Sequence, residues 1–214
     1  MNFDYLIIAC FQILIVGIFI FQHYQQGRRV QFWEPFALAK GLVFKKGNLF
    51  RDPTITGTQA GIKLVVTAHR RTKHQEACCT CAAEVPGALP EGFTLGAQGS
   101  GFLGWSIVGD SCSRQDVTIG DKELDDAATI KGHDEAEIQR LLRKPSGRKA
   151  ALTVVRFSTD SYVEGGKVML RLQGEPTDEA ILRRMVDTSV EVAKDLAGAC
   201  EPSANPQHPD LIPM

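Results

Sequence analysis

The amino-acid sequence predicts an α+β fold: one N-terminal transmembrane helix followed by a mostly antiparallel sheet with two or three packing helices. Three observations predict this class: an apolar run near the amino terminus, short runs of strand-forming residues between glycine or polar turns, and segments with apolar residues at helical spacing. With 214 residues, 43% of them hydrophobic and 23% charged, the chain is large enough to bury one core without disulfide or metal staples.

The apolar run at residues 5–21 reads YLIIACFQILIVGIFIF and is interrupted by one polar residue, Gln12. At ~1.5 Å per helical residue it spans most of a ~30 Å hydrocarbon layer. A cleaved signal peptide is disfavoured, because the leading residues MNFD hold no Lys or Arg and residues 22–25 offer no small-residue cleavage site. We therefore expect an uncleaved membrane anchor, with the bilayer as a partner through residues 5–21.

Basic residues follow the anchor, beginning with Arg28 and Arg29, whereas Asp4 precedes it. The positive-inside rule then predicts a single-pass protein of the cell inner membrane with its domain in the cytoplasm. Arg28 and Arg29 would lie beside anionic lipid headgroups, each contributing about 1 kcal/mol. An ordinary solvated surface explains the same charges equally well.

The composition divides the chain into four segments. Residues 1–25 are the predicted anchor and its flank, and residues 26–52 a basic juxtamembrane helix and linker. Residues 53–200 form the predicted α+β domain. The segment 201–214 carries four prolines and is predicted to be a disordered tail.

The first element after the anchor is predicted at residues 28–40, where Phe32, Trp33 and Phe36 lie near helical spacing and Gly41 follows as a helix end. Trp33 either packs on the domain or lies at the membrane interface, where indole is favoured. Strands with imperfect period-two alternation come next. They are predicted at residues 54–58, 62–69, 77–85, 93–97 and 105–108, as an antiparallel meander.

A short helix is predicted within residues 133–145, because Asp134 and Glu137 form a capping-box pattern before an apolar stripe. Residues 121–126, which hold four acids, are predicted to be a solvated turn leading into the next strand.

Two strands are predicted at residues 151–157 and 167–172, with the glycine pair 165–166 as a tight hairpin turn before the second. The clearest helix is predicted at residues 177–198, where acids occupy the first turn and apolar residues share one face.

Several segments resemble a broad set of uncharacterised bacterial proteins with an N-terminal membrane helix and a soluble domain. The resemblance implies that architecture and no catalytic residue. It rests on FALAKGLVF at 36–44, on VGD at 108–110 or IGD at 119–121 followed by LD at 124–125, and on DEAEIQRLLRKPSGRKAALTV at 134–154.

One short span concentrates imidazole and thiol groups, the ligand set that zinc and copper prefer. The candidate metal ligands are His69, His74, Cys79 and Cys81, with Cys78 beside them. If this span forms a hairpin, Cys79 and Cys81 share one face while Cys78 lies on the other, so one ion cannot bind all three thiols. Small strand residues in a reduced core are the alternative interpretation.

Other motifs argue against catalysis and nucleic-acid binding. GSGFLG at 99–104 matches a dinucleotide fingerprint, but no helical stripe follows it, so a turn is favoured and no cofactor is expected. The serines form no nucleophile elbow, and the basic segment 63–73 lacks interleaved aromatic residues.

We therefore expect a non-enzymatic domain that binds a protein or lipid partner at the membrane face. The alternative is a metal-binding or enzymatic module that uses the His/Cys cluster at residues 69–81.

Overall fold

The computed structural model describes residues 12–14, 16–17, 31–48, 51–70, 76–99, 115–176 and 178–201, and nine strands of these residues form one sheet. Every neighbouring pair is antiparallel, in the order β1-β2-β3-β4-β9-β8-β5-β7-β6. The strands are β1 (Val43–Lys45), β2 (Thr54–Gln59), β3 (Ile62–His69), β4 (Cys78–Glu84), β5 (Thr94–Ala97), β6 (Gln115–Asp116), β7 (Ala128–Gly132), β8 (Tyr162–Glu164) and β9 (Lys167–Gln173).

Five helices are labelled in chain order, and contacts join four of them to strands of the sheet. They are α1 (Trp33–Ala39), α2 (Lys122–Ala127), α3 (Glu135–Arg143), α4 (Pro145–Phe157) and α5 (Glu179–Cys200). The N-terminus of α3 is capped as the sequence predicts, because Asp134 accepts from the Glu137 N–H. The N-terminus of α5 is also capped, since Asp178 accepts from the Ile181 N–H.

The core lies between the helices and one face of the sheet, which we call the inner face. On β3 the alternation is clear: Ile62, Leu64 and Val66 are buried, whereas the residues between them are exposed. On α5 the buried residues recur at helical spacing, as Leu182, Val186 and Val190 illustrate. Both periodicities therefore bury their apolar side chains in the same layer.

The α+β class with a large antiparallel sheet is confirmed. The strand predictions around 54–58, 62–69 and 77–85 are confirmed, and the predicted hairpin turn at 165–166 joins β8 to β9. Trp33 packs into the core with 2% of its surface exposed, which decides between its two predicted positions.

The strand predicted at residues 151–157 is wrong, since these residues form the second half of α4. The β-branched run at 153–155 suggested a strand, but the buried residues Gly147, Ala151 and Val154 follow helical spacing, and Pro145 is suited to the first turn of a helix. The solvated turn predicted at 121–126 is also replaced by a helix, α2, whose N-cap is Asp121.

The predicted transmembrane helix is contradicted. Across the described ranges, no helix is both long enough and apolar enough to cross a bilayer. A span needs ~20 continuous apolar residues, and the longest described helix, α5, carries charged residues throughout its length. The predicted single-pass location in the inner membrane is contradicted by the same finding.

Parts of those predictions lie outside the described residues. Of the segment 5–21, the structure describes 12–14 and 16–17, which are helical. Arg28, Arg29, the predicted strand at 105–108 and the tail after 201 lie outside the described ranges. The four-segment division of the chain stays a prediction.

Candidate functional site

The sheet has a second face, opposite the helices, which we call the outer face. Its residues alternate along each strand with the core residues and lie outside the hydrophobic core cluster. The antiparallel register aligns them into rows that run across the strands. Three such rows differ sharply in chemistry.

The middle row is mostly apolar, and we call it the apolar row. Two of its members are unusually exposed for large aliphatic side chains, Val43 at 57% and Val65 at 44%. The row crosses six strands, so at ~4.8 Å between strands it is about 24 Å long. Successive members are paired by the register of the sheet: Val43, Thr56, Val65, Ala82, Met169 and Tyr162.

On one side of the apolar row lies a charged row, interrupted on β5 by the buried Thr94, which lies between Glu164 and Lys131. Its charged members are Lys63, Glu84, Lys167, Glu164, Lys131 and Asp116. Lys63 lies 3.8 Å from Glu84, and Lys131 lies 3.4 Å from Asp116. Opposite charges on neighbouring strands stabilise this register by ~0.2–1 kcal/mol a pair, so we assign this row a role in strand pairing.

On the other side lies a polar row of hydroxyl groups with a cation at each end. Its members are Lys45, Thr54, Thr67, Thr80 and Arg171. None of these five side chains is acidic. The buried Nε of Arg171 has no hydrogen-bond partner within the described part of the chain, and an unsatisfied buried donor costs ~1–3 kcal/mol.

A histidine lies beside the polar row, two residues along β3 from Thr67. His69 Nε2 lies 3.1 Å from Thr80 Oγ1, and His69 Nδ1 lies 3.5 Å from a carboxylate oxygen of Asp52. Arg70 Nε lies 3.4 Å from the other oxygen of Asp52, so it compensates the negative charge of that carboxylate. His69 is 40% exposed, which leaves this group accessible to a ligand. We call Asp52, His69 and Thr80 the His69 relay.

The structure separates the predicted metal ligands. Cys79 and Cys81 lie on the inner face of β4 in the core, whereas His69 lies on the outer face of β3. Burial raises the pKa of Cys81 to about 12, and burial also raises the pKa of Cys79 strongly, so neither thiol readily becomes the thiolate that metals bind. His74 lies outside the described residues.

Within the described ranges, no group of three or more His, Cys, Asp or Glu side chains is arranged to hold a metal ion. Cys78 pairs with His69 across the strands and is buried outside the core cluster. Because His74 is not described, metal binding by the His/Cys cluster stays a prediction.

Three of the four acids at 121–126, namely Asp121, Glu123 and Asp125, have structural contacts in this fold. Arg148 Nε donates to Asp121 at 2.5 Å and another nitrogen of Arg148 donates to Glu123 at 2.5 Å, while Arg156 also donates to Glu123. Asp125 accepts from the backbone N–H groups that precede α2. A hollow of about 350 Å³ beside these arginines therefore has its positive charges compensated, and we do not assign it a ligand.

Low pH should reduce the stability that the ion pairs of Arg148 with Asp121 and Glu123 contribute. Replacing Arg148 should make the stability of the protein less sensitive to acid. The hydrogen bonds from Arg148 lower the pKa values of Asp121 and Glu123. A carboxyl group whose pKa is lower in the folded protein than in the unfolded chain stabilises the fold at pH values above its unfolded-state pKa. This stabilisation is lost as the pH falls through the pKa of the folded state. We expect Arg148→Gln to be less stable than the native chain at neutral pH and to lose less stability between about pH 5 and pH 3.

Urea unfolding midpoints of both proteins across that pH range measure this difference. Arg140→Gln, an exposed arginine on α3, is the matched control and should follow the native curve. Equal losses for Arg148→Gln and the native chain would show that other groups govern the acid response.

Sequence reasoning did not identify Val65, Thr80 or Arg171 as site residues. The alternation within β3 is a local signal that places Val65 opposite the buried residues. No local signal places Arg171 beside Thr80, because β4 and β9 are separated by most of the domain.

Comparison with known proteins gives a likeness of fold. No protein-family model matches the chain, and a search of curated proteins finds no match. Among solved structures, the chain is similar to one described as the crystal structure of the mycobacterial trehalose monomycolate transport factor A, TtfA. The match covers 83% of this chain and 96% of that chain with 10% identity and a TM-score of 0.50. The chain therefore has a fold similar to that of TtfA.

Proposed function

We propose that this domain binds an amphiphilic lipid along the outer face of its sheet, with the acyl chain on the apolar row. The observation that carries the proposal is the row itself, which leaves two valines exposed outside the core. Exposed apolar patches on a protein domain mark interaction sites and ligand-binding grooves.

The shape of the row favours a lipid chain over a broad protein interface. The row is about one side chain wide and about 24 Å long. One leaflet of a bilayer holds acyl chains in ~15 Å, half of its ~30 Å hydrocarbon layer, so a single chain fits along the row. Polar and charged rows border it on both sides, which suits an amphiphile with one apolar chain.

The similar fold of TtfA supports the same class of ligand. That protein is named for the transport of trehalose monomycolate. A shared fold is compatible with different ligands, so the proposal for this chain depends on the apolar row.

Replacing Val65 with aspartate should abolish most of the lipid binding. Val65 is 44% exposed, so its burial by the ligand is worth about 1 kcal/mol. The new carboxylate in the middle of the apolar row must also be desolvated, and together the two effects should lower the affinity roughly tenfold or more. Isothermal titration of the full-length chain with dodecyl maltoside, below its critical micelle concentration, measures the effect.

Leu38→Asp is the matched control, since Leu38 is 73% exposed on α1 and away from the outer face. We expect it to bind as the native chain does. Val65→Thr keeps the branched shape and should weaken binding by a smaller factor, which guards against a folding defect in the aspartate variant. Equal affinities of the Val65→Asp and Leu38→Asp variants for dodecyl maltoside would refute the lipid proposal. The proposal would also be refuted if the domain bound a protein partner and did not bind dodecyl maltoside.

A further inference from the structure

The polar row borders the apolar row along its length, so a ligand on one contacts the other. Tyr162 and Arg171 connect the two rows. Tyr162 pairs with Met169 on β9, and Arg171 lies two residues further along the same face of that strand, so the two residues are diagonal neighbours at the end of the apolar row. A lipid headgroup at that end would therefore meet Arg171.

Thr80 lies directly opposite Arg171 on the neighbouring strand. Paired residues on one face of a sheet have their Cβ atoms ~5 Å apart, so one small ligand group can contact both side chains. The guanidinium offers donors in a planar fork that matches the oxygens of a phosphate or carboxylate. The unpaired Nε of Arg171 adds a donor that still lacks an acceptor in the described part of the chain.

The His69 relay positions the Thr80 hydroxyl group. Thr80 Oγ1 lies 3.1 Å from His69 Nε2, and the direction of this hydrogen bond depends on the tautomer of the imidazole. In the tautomer in which Nε2–H donates to Thr80, the hydroxyl hydrogen is free to donate to an anion beside it.

The charges of the surroundings point the same way. The polar row holds two cations, Lys45 and Arg171, and only hydroxyl groups between them. The nearby carboxylate of Asp52 is compensated by Arg70 and contacts His69 on its far side from Thr80. The guanidinium of Arg171, directly opposite Thr80, therefore favours a negatively charged group at this position.

We propose that Thr80, Arg171 and the His69 relay form a headgroup subsite that selects lipids with a phosphate headgroup. This inference rests on the proposed lipid-binding function and specifies its ligand class. The acyl chain would occupy the apolar row, and the phosphate oxygens would accept from Arg171 and Thr80.

Two amphiphiles with the same chain test this subsite in the full-length protein: dodecyl phosphate and dodecyl maltoside, each below its critical micelle concentration. We expect dodecyl phosphate to bind about tenfold more tightly in isothermal titration, as a charge-assisted bidentate contact adds that much affinity. Arg171→Gln should remove this preference and leave dodecyl maltoside within about twofold of its native affinity. Valine has the same shape as threonine but lacks the hydroxyl group. Thr80→Val should therefore reduce the preference for dodecyl phosphate while Arg171 stays in place.

Arg184→Gln is the matched control, since Arg184 is exposed on α5 and should leave both affinities unchanged. If both amphiphiles bind equally and still depend on Val65, the phosphate subsite is refuted while lipid binding stands. If the binding of neither amphiphile depends on Val65, the proposed lipid-binding function is refuted. If inorganic phosphate alone binds as tightly as dodecyl phosphate, with the same dependence on Arg171, the site is one for free phosphate and the headgroup assignment is overturned.

Discussion

Replacing Leu170 with alanine is expected to lower the free energy of unfolding by about 2–5 kcal/mol. Leu170 lies on the inner face of β9, a central strand, and none of its surface is exposed. It pairs with Cys81 on β4 and belongs to the core beneath the helices. Truncation removes apolar burial and leaves a cavity that packed neighbours fill only in part.

Urea unfolding followed by circular dichroism measures this loss. Leu38→Ala is the control, because Leu38 is exposed and its truncation should change stability by no more than about 0.5 kcal/mol. If the two variants unfold at the same urea concentration, the inner face of β9 does not form the core described above. The comparison tests the register of β9 and its orientation in the sheet.

Replacing Gly147 with alanine is expected to lower the free energy of unfolding by about 1–3 kcal/mol, although alanine is the better helix former. Gly147 lies in the first turns of α4. A Cβ atom there would lie 2.1 Å from the backbone oxygen of Leu141 on α3 and 3.3 Å from the Cβ of Ala199 on α5. A backbone oxygen cannot move aside as a flexible side chain can, so the two helices must separate.

Gly198→Ala is expected to change the stability of the protein in the opposite direction to Gly147→Ala. An added Cβ at Gly198, on α5, meets no atom within 4 Å. Helix propensity then acts without a clash, and we expect a gain of up to about 1 kcal/mol. Thermal and urea unfolding of both variants should give changes of opposite sign. A stabilised Gly147→Ala protein would show that α3 and α4 are not packed this closely.

The strands and helices with clear periodicity were predictable from the sequence. The alternation at 62–69 and the capping pattern at Asp134 are local signals, and the structure confirms them. The segment 151–157 shows where this reasoning fails, because β-branched residues occupy a helix that tertiary packing stabilises. Strands β1 and β6, with three and two residues, are too short to show an alternation of apolar and polar residues.

The candidate site illustrates the limit most clearly. The sequence drew attention to His69 through neighbouring cysteines, but the partners of His69 in the fold are Asp52 and Thr80. Cys79 and Cys81 differ from Cys78 in facing the core, as alternation along one strand predicts. The outer-face rows, by contrast, combine side chains from strands that are distant in the sequence.

The sequence by itself determined the α+β class, the face on which each well-formed strand buries its side chains, and the start of the capped helices. These properties depend on residues within a few positions of one another. Only the tertiary structure decided that Val65 joins an apolar row and that Thr80 lies beside Arg171. Such neighbours are chosen by long-range strand pairing, in which hydrogen bonds between backbones and burial of the inner face set one register for the whole sheet.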